Sequence, residues 1–303
     1  MSSSTCIIIP CFNHGQYLDE CLHSVFNQTR TDWKAIVVDD CSSDPYTISK
    51  IEAIKHPKVK VVHHTINKGL AAARNTGIRA SNTPFVLPLD SDDKLHPEYL
   101  ECTVGILESK PEIDCVFGWL QCFGVENIIL KYQIKGIADM LVTSWIPGAG
   151  TLMRKPLWEK VNGYCEDITL RHGCEDWDFW ITAVEKGCKA DVIPRTLYFY
   201  RRHQESMVTR LQYVNHQTRL FIYKRHHILF DRYKKKHEFL AEGYCRSSIA
   251  SLAKSKRLRA FYLALFAFMH IPSMPIVKLL LSSVCPKALK NILGRLLISN
   301  KRL

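Results

Sequence analysis

Thr5-Cys-Ile-Ile-Ile-Pro10 begins the stretch that decides the fold, and it continues through Tyr17–Gln28 to Trp33-Lys-Ala-Ile-Val-Val38. The first run is unbroken, apolar and β-branched, as in a strand buried on both faces. Tyr17 to Gln28 sets Leu18, Cys21, Leu22, Val25 and Phe26 at helical spacing, and Trp33 to Val38 is a second buried strand. Outward from there, Val59-Lys-Val-Val62 reads as a third strand, Leu70 to Ala80 as an Ala-rich helix, and Pro84-Phe-Val-Leu-Pro-Leu89 as a fourth strand. Strands and helices alternating over such short connections predict an α/β fold, a mostly parallel sheet with flanking helices. Ligands of such sheets gather beyond the carboxyl ends of the strands, so functional groups are expected just after Ile9, Val38, Val62 and Leu89.

Beyond Pro97 the pattern becomes α+β. A helix is predicted near Glu98–Leu107, strands near Ile113–Phe123 and Ile128–Tyr132, a Gly-rich loop at Pro147-Gly-Ala-Gly150 and a helix over Glu175–Glu185. From Leu211 onward only helical signals occur: Leu211–Glu242, Cys245–Ala253, Leu258–Met269, Pro275–Val284 and Pro286–Ile298. The expected organisation is an α/β domain over 1–210 and an all-helical C-terminal region over 211–303.

Charge divides the chain at nearly the same place. The net charge is +12, from 41 Lys and Arg against 29 Asp and Glu. Up to Tyr200 there are 20 basic and 25 acidic residues; from Arg201 onward there are 21 basic and 4 acidic. With 47% hydrophobic and 23% charged residues, the composition excludes a disordered or collagen-like chain. The start at Met1 carries no basic segment, and the apolar run Cys6–Ile9 is too short for a signal peptide. The twelve cysteines are therefore expected as reduced thiols in a cytoplasmic protein. Cys165, His172, Cys174 and Cys188 match no standard zinc spacing. No charged residue lies between Arg259 and Lys278, but Pro272 and Pro275 interrupt that stretch, which predicts a helical hairpin rather than a membrane span.

Three acidic clusters follow predicted strands or open a helix. Asp39-Asp40-Cys-Ser-Ser-Asp44 ends the second strand; its carboxylates suit a turn with Asp44 as a helix cap, or hydrogen bonding to a nucleotide. Asp90-Ser-Asp-Asp93 ends the fourth. Three carboxylates so close repel one another unless a hard cation such as Mg²⁺ or Mn²⁺ joins them, although Asp also suits a helix N-terminus. Glu175-Asp-Trp-Asp178 opens a helix beside Phe179 and Trp180, either as capping residues or as a base next to an aromatic sugar platform. Asn67-Lys-Gly69-Leu-Ala-Ala-Ala-Arg74-Asn75 puts Gly69 at a helix start, where phosphates bind, and Arg74 inside the helix, where a structural role also fits.

Taken in order, these pieces resemble the inverting family 2 glycosyltransferases of the GT-A fold. The resemblance runs from Thr5 to about Ser206 and adds Gly148-Ala-Gly150, Asn162-Gly-Tyr164 and Tyr200-Arg-Arg-His203 to the clusters above. It implies a nucleotide pocket lined by Pro10, Phe12 and Asn13, with Asp40 accepting from a base, most often uracil, Asp39 supporting it, and Gly69 and Arg74 on the nucleotide side. It implies that Asp90 and Asp92 form the metal-binding DxD motif with Mn²⁺ or Mg²⁺, and that His203 adds a ligand or, with Arg201 and Arg202, faces the diphosphate. Asp176 falls on the general base. Asp93, Gly148, Gly150, Glu175 and Trp177 fall beside acceptor or donor sugar. The implied partners are a nucleotide-diphospho-sugar and a hydroxyl acceptor on a glycan or lipid-linked glycan. Cys41 stands where the family commonly has glycine.

The basic region has no family motif. Pro286 to Leu297 places Leu289, Ile292, Leu293, Leu296 and Leu297 on one helical face, with Lys287, Lys290 and Arg295 elsewhere. Such a helix either packs its stripe on the protein or lies on an anionic membrane, which would put the protein peripherally on the inner face of the cell membrane. No nucleic-acid motif accompanies the basic runs, so no nucleic-acid partner is expected. Pro10-Cys-Phe-Asn13 is not the Gly-rich basic loop a sugar-phosphate nucleotidyltransferase would need.

Overall fold

The computed structural model describes residues 4–203 and 207–284 of the chain. It divides into two compact units, Met1–Gln204 and Glu205–Leu303.

The first unit runs β1 (Thr5–Cys11), α1 (Gly15–Phe26), β2 (Trp33–Asp39), α2 (Pro45–Glu52), β3 (Val59–His63), α3 (Leu70–Arg79), β4 (Phe85–Pro88), β5 (Lys94–Leu95), α4 (Tyr99–Ser109), β6 (Cys115–Gly124), β7 (Ile129–Leu130), α5 (Ile137–Met140), β8 (Thr151–Arg154), α6 (Lys155–Val161), a 3₁₀ turn (Ile168–Leu170), α7 (Glu175–Glu185) and β9 (Ala190–Arg202). One sheet has the order β3-β2-β1-β4-β8-β6-β9-β5, with β7 beside β6. β3, β2, β1 and β4 are mutually parallel, and so are β6 and β9. β8 runs antiparallel between the two groups. This is the mostly parallel α/β sheet that the alternation of elements predicts. Register brings Cys11, Asp39 and His63 into one row at the carboxyl ends of β1, β2 and β3. The core beneath them includes Ile7, Ile9, Val37, Leu87, Leu152 and Tyr198.

Several elements escape the sequence pattern, among them α2, β8 and β9. α2 is short, but Asp44 caps it by accepting the Thr47 N–H at 2.9 Å, and Pro45 occupies its first turn. β9 contains Pro194 and Arg195, which read against a strand. They sit at a register break, where Gly118 pairs with Ile193 but Trp119 pairs with Thr196. The bulge lets one strand of thirteen residues carry Arg201 and Arg202 up to the acidic cluster.

The second unit contains α8 (Met207–Arg232), α9 (Lys236–Ala253), α10 (Arg257–His270) and α11 (Met274–Val284). The predicted division between Glu242 and Cys245 does not occur. α9 runs through it, and Gly243 there allows close approach of α8: a Cβ at that position would lie 2.7 Å from Cδ of Arg219. The chain breaks instead at Tyr233–Lys235, where Lys234 takes φ +55°. Buried Ser248, Ser251, Ala260 and Ala264 let α9 and α10 pack closely. α10 and α11 form the predicted hairpin, and no described helix is long and apolar enough to cross a membrane. The predicted helix over Pro286–Ile298 lies outside the described residues.

Candidate active site

At the end of β1, Pro10 is buried in the strand, while Phe12 is 44% exposed. Asn13 turns inward with φ +54°. Its Oδ1 accepts the N–H groups of Ser43 and Asp44, both at 2.9 Å, and its own N–H donates to Ser42 Oγ at 3.1 Å. Asn13 therefore clamps two loops together, and Phe12 offers the open surface. Cys41, in the same turn, takes φ +62°, the left-handed conformation that favours glycine.

Asp39 accepts from Ser42 N–H at 2.9 Å and lies 3.1 Å from His63 Nδ1. Burial works against its ionised form, but the Ser42 donors and His63 hold its carboxyl below the usual range. Asp40 accepts from Lys68 N–H at 2.8 Å and Gly69 N–H at 2.7 Å, and its Oδ1 meets His64 Nδ1 at 2.7 Å. The other nitrogen of His64 meets Thr76 Oγ1 at 2.9 Å. Asp40 thus pins the N-terminus of α3, where the helix dipole favours its charge. His63 and His64 are site residues the motif reading missed. The signal was their position directly after Val62, one of the strand ends where function was expected.

Arg74 is buried in α3. One guanidinium nitrogen donates to Asp90 Oδ1 at 2.8 Å and another to Glu175 Oε1 at 2.7 Å. It thereby joins the end of β4 to the start of α7, and its Nε has no hydrogen-bond partner among the described residues. The neighbouring Asn75 accepts from Tyr164 N–H and Trp158 Nε1–H at 2.9 and 3.0 Å. Both residues of the Arg74-Asn75 pair are built into the protein rather than turned to a nucleotide.

The second acidic cluster divides three ways. Asp90 is bound to Arg74. Asp92 Oδ2 lies 2.8 Å from His203 Nε2, and the His203 ring sits 5.1 Å from Tyr17 and 6.4 Å from His14. Among the described residues, no three His, Cys, Asp or Glu side chains converge as a metal cluster. Asp93 is 0% exposed and accepts from Tyr198 O–H and Arg201 N–H, both at 2.7 Å. Burial and the charges of Asp92 and Asp90 push its carboxyl up. Through these two bonds it holds β9 in place.

Asp176 is half-buried in the first turn of α7, where its Oδ1 accepts the neighbouring Trp177 N–H at 2.8 Å. Burial pushes its carboxyl above the ordinary range, with Arg74 opposing. Gly148 lies against it: a Cβ there would sit 1.9 Å from Asp176 Oδ2. Glu175 is 4% exposed, and burial with the Asp176 charge pushes it up to about 7. Its partner is Arg74. Trp177 is also buried, and its indole N–H donates to Met140 O at 2.6 Å, fixing α5. Gly150 is buried with φ +71° against the Tyr198 ring, a backbone requirement rather than a sugar contact.

Strand ends thus carry an open aromatic ring and two Asp–His pairs, and the first turn of α7 carries a half-buried carboxylate seated on glycine. The family model for glycosyl transferase family 2 matches residues 6–171. The chain belongs to glycosyl transferase family 2. Among relatives, it is 33% identical over 185 residues to chondroitin synthase of Escherichia coli, covering 60% of this chain and 26% of that one. It is 27% identical over 187 residues to an uncharacterized glycosyltransferase of Haemophilus influenzae, covering 59% of this chain and 62% of that relative. The family 2 chain therefore matches less than two thirds of either protein's length. Its GT-A fold is that of S. aureus TarS residues 1–349, with a TM-score of 0.65 at 18% identity over 92% of this chain and 83% of TarS. A second solved neighbour is the mannosyltransferase PcManGT of Pyrobaculum calidifontis in complex with GDP-Man and Mn²⁺, with a TM-score of 0.60 at 17% identity over 96% of this chain and 84% of that one.

Proposed function

We propose that the chain is a metal-dependent inverting glycosyltransferase. It moves a sugar from a nucleotide-diphospho-sugar, most simply uridine-linked, to a hydroxyl acceptor on a glycan or lipid-linked glycan in cell-surface polysaccharide or glycolipid synthesis. The observation that carries the reading is Asp176, half-buried beside Gly148 and held above the ordinary carboxylate range by that burial. A carboxylate so placed takes the proton from an acceptor hydroxyl as that oxygen attacks the anomeric carbon opposite the leaving diphosphate. One displacement inverts that carbon with no covalent intermediate.

The other residues position and exclude. The exposed Phe12 ring offers a stacking surface to a base, while Asp39, Asp40, His63 and His64 shape the pocket wall. Arg74 fixes Asp90 and Glu175, and through Glu175 the turn that bears Asp176. Support for the donor class comes from TarS, solved with UDP-GlcNAc, and from PcManGT with GDP-Man. Asp92 Oδ2 and His203 Nε2, 2.8 Å apart, are an oxygen and an imidazole donor that fit two positions around one Mn²⁺ or Mg²⁺, with substrate phosphate to complete the shell. When bound, the ion would neutralise charge developing on the diphosphate. Residues 1–210 form the catalytic domain in this reading, and 211–303 a basic helical appendage docked at an anionic surface. The test is a panel of nucleotide-sugars, with Mn²⁺ present, read by donor binding and hydrolysis. Saturable binding of one donor supports the reading; binding of none, with nucleoside triphosphate bound instead, would favour a nucleotidyltransferase.

A further inference from the structure

Helix α10 is apolar on two opposite faces. Ala260, Leu263, Ala264 and Ala267 form one and are buried. Leu258, Tyr262, Leu265 and Met269, spaced three or four residues apart, form the other and are open: Leu258 is 70%, Tyr262 53% and Met269 61% exposed. On α11, Met274 and Leu281 are likewise exposed, with Lys278 one turn from each. Burying one such stripe in the helix packing while leaving a second in water is costly, so the open stripe marks a contact surface.

Charge selects the occupant. From Gly243 to Leu303 the sequence holds no Asp or Glu, and between residues 207 and 284 Lys and Arg outnumber acids fourteen to three. Two of those acids are spent internally, Glu238 on Lys235 and Glu242 on Arg246. Lys254, Lys256, Arg257 and Arg259 lead into the open stripe of α10. A second copy would bring the same positive charge against this face. Nucleic acid would satisfy the lysines but not Leu258 or Met269. An anionic bilayer satisfies both, with apolar side chains in the acyl boundary and cations at the headgroups. α10 has fourteen residues, about 21 Å of helix, against a hydrocarbon core of about 30 Å, so it lies on a membrane rather than across it.

We infer that the open face of the α10–α11 hairpin is a docking surface for an anionic lipid bilayer. This rests on the proposed docking of the helical appendage and gives it a specific face; its test measures binding and not transfer, so it fails separately from the glycosyltransferase reading. The full chain is sedimented with phosphatidylcholine vesicles and with vesicles of phosphatidylcholine and phosphatidylglycerol. Binding is expected to the anionic vesicles alone and to weaken with salt. The full-length double variant Tyr262→Glu/Met269→Glu is expected to keep the wild-type thermal midpoint and bind about tenfold more weakly, a loss of about 1.4 kcal/mol. Tyr262→Leu/Met269→Leu is expected to bind like wild type, which separates lost apolar contact from misfolding. Equal vesicle binding by wild type and the Glu variant would overturn the inference. So would loss of binding only in Leu293→Glu/Leu297→Glu, or a wild-type dimer that the Tyr262 and Met269 substitutions dissociate.

Discussion

Gly148 presents its α-carbon to Asp176 so closely that a methyl group in its place would stand 1.9 Å from Oδ2. Nothing larger than hydrogen fits there with Asp176 in position. Gly148→Ala is therefore expected to displace the carboxylate and lower kcat by about 100-fold, the scale of an ångström of misplacement, while donor binding stays near wild type. Steady-state transfer beside donor titration checks this, and unchanged kcat would mean that Asp176 need not sit where it does.

Arg74 is the second fixed point. Arg74→Met leaves Glu175 buried without its cation and frees Asp90, and is expected to destabilise the protein by about 3–5 kcal/mol. Denaturant unfolding measures it. A loss below about 1 kcal/mol, the scale of an exposed pair, would mean that the two ion pairs do not anchor α7 to β4.

For the cation, chelation is expected to abolish transfer, with Mn²⁺ or Mg²⁺ restoring it. Asp92→Ala and His203→Ala should each raise the metal concentration needed for half-maximal activity, by 10-fold or more on the scale of lost metal-site residues. Asp93→Asn, by contrast, is expected to affect stability and leave metal dependence unchanged, because Asp93 binds Tyr198 and Arg201. Full activity in chelator would remove the metal from the account.

The pH profile follows from Asp176. A general base works deprotonated, so activity falls as pH drops through its pKa. Burial raises that pKa and Arg74 opposes the rise, so the acid limb of kcat/KM is expected above the ordinary Asp value of about 3.9. An acid limb at or below that value would contradict the assignment.

Much of this was legible in the sequence. β1 and β2 are apolar runs, and buried parallel strands leave that signature without ambiguity. Asp92 drew attention because carboxylates gathered at a strand end repel one another, whereas Asp176 was singled out from Glu175-Asp-Trp-Asp178 only by the family resemblance, since acidic residues also suit a helix N-terminus. What the pattern could not separate was carboxylates facing a ligand from those facing the protein. Asp93 follows Asp92 in sequence, yet it points to Tyr198, 105 residues away, through a hydrogen bond no local pattern encodes. Glu175 and Asp176 divide in the same way, because helical spacing turns adjacent side chains about 100° apart, one onto Arg74 and one against Gly148. β9 was hidden by Pro194, which the strand skips at a bulge between the Gly118–Ile193 and Trp119–Thr196 pairs. Gly243 read as a helix end because its packing partner, Arg219, lies on another helix.

The most direct test is Asp176→Asn, with transfer rate and donor affinity measured on one preparation. Asparagine keeps the shape and removes the base. The account predicts transfer lower by about 100- to 10,000-fold, the contribution of a positioned base, with donor affinity near wild type. Transfer at close to the wild-type rate would contradict it.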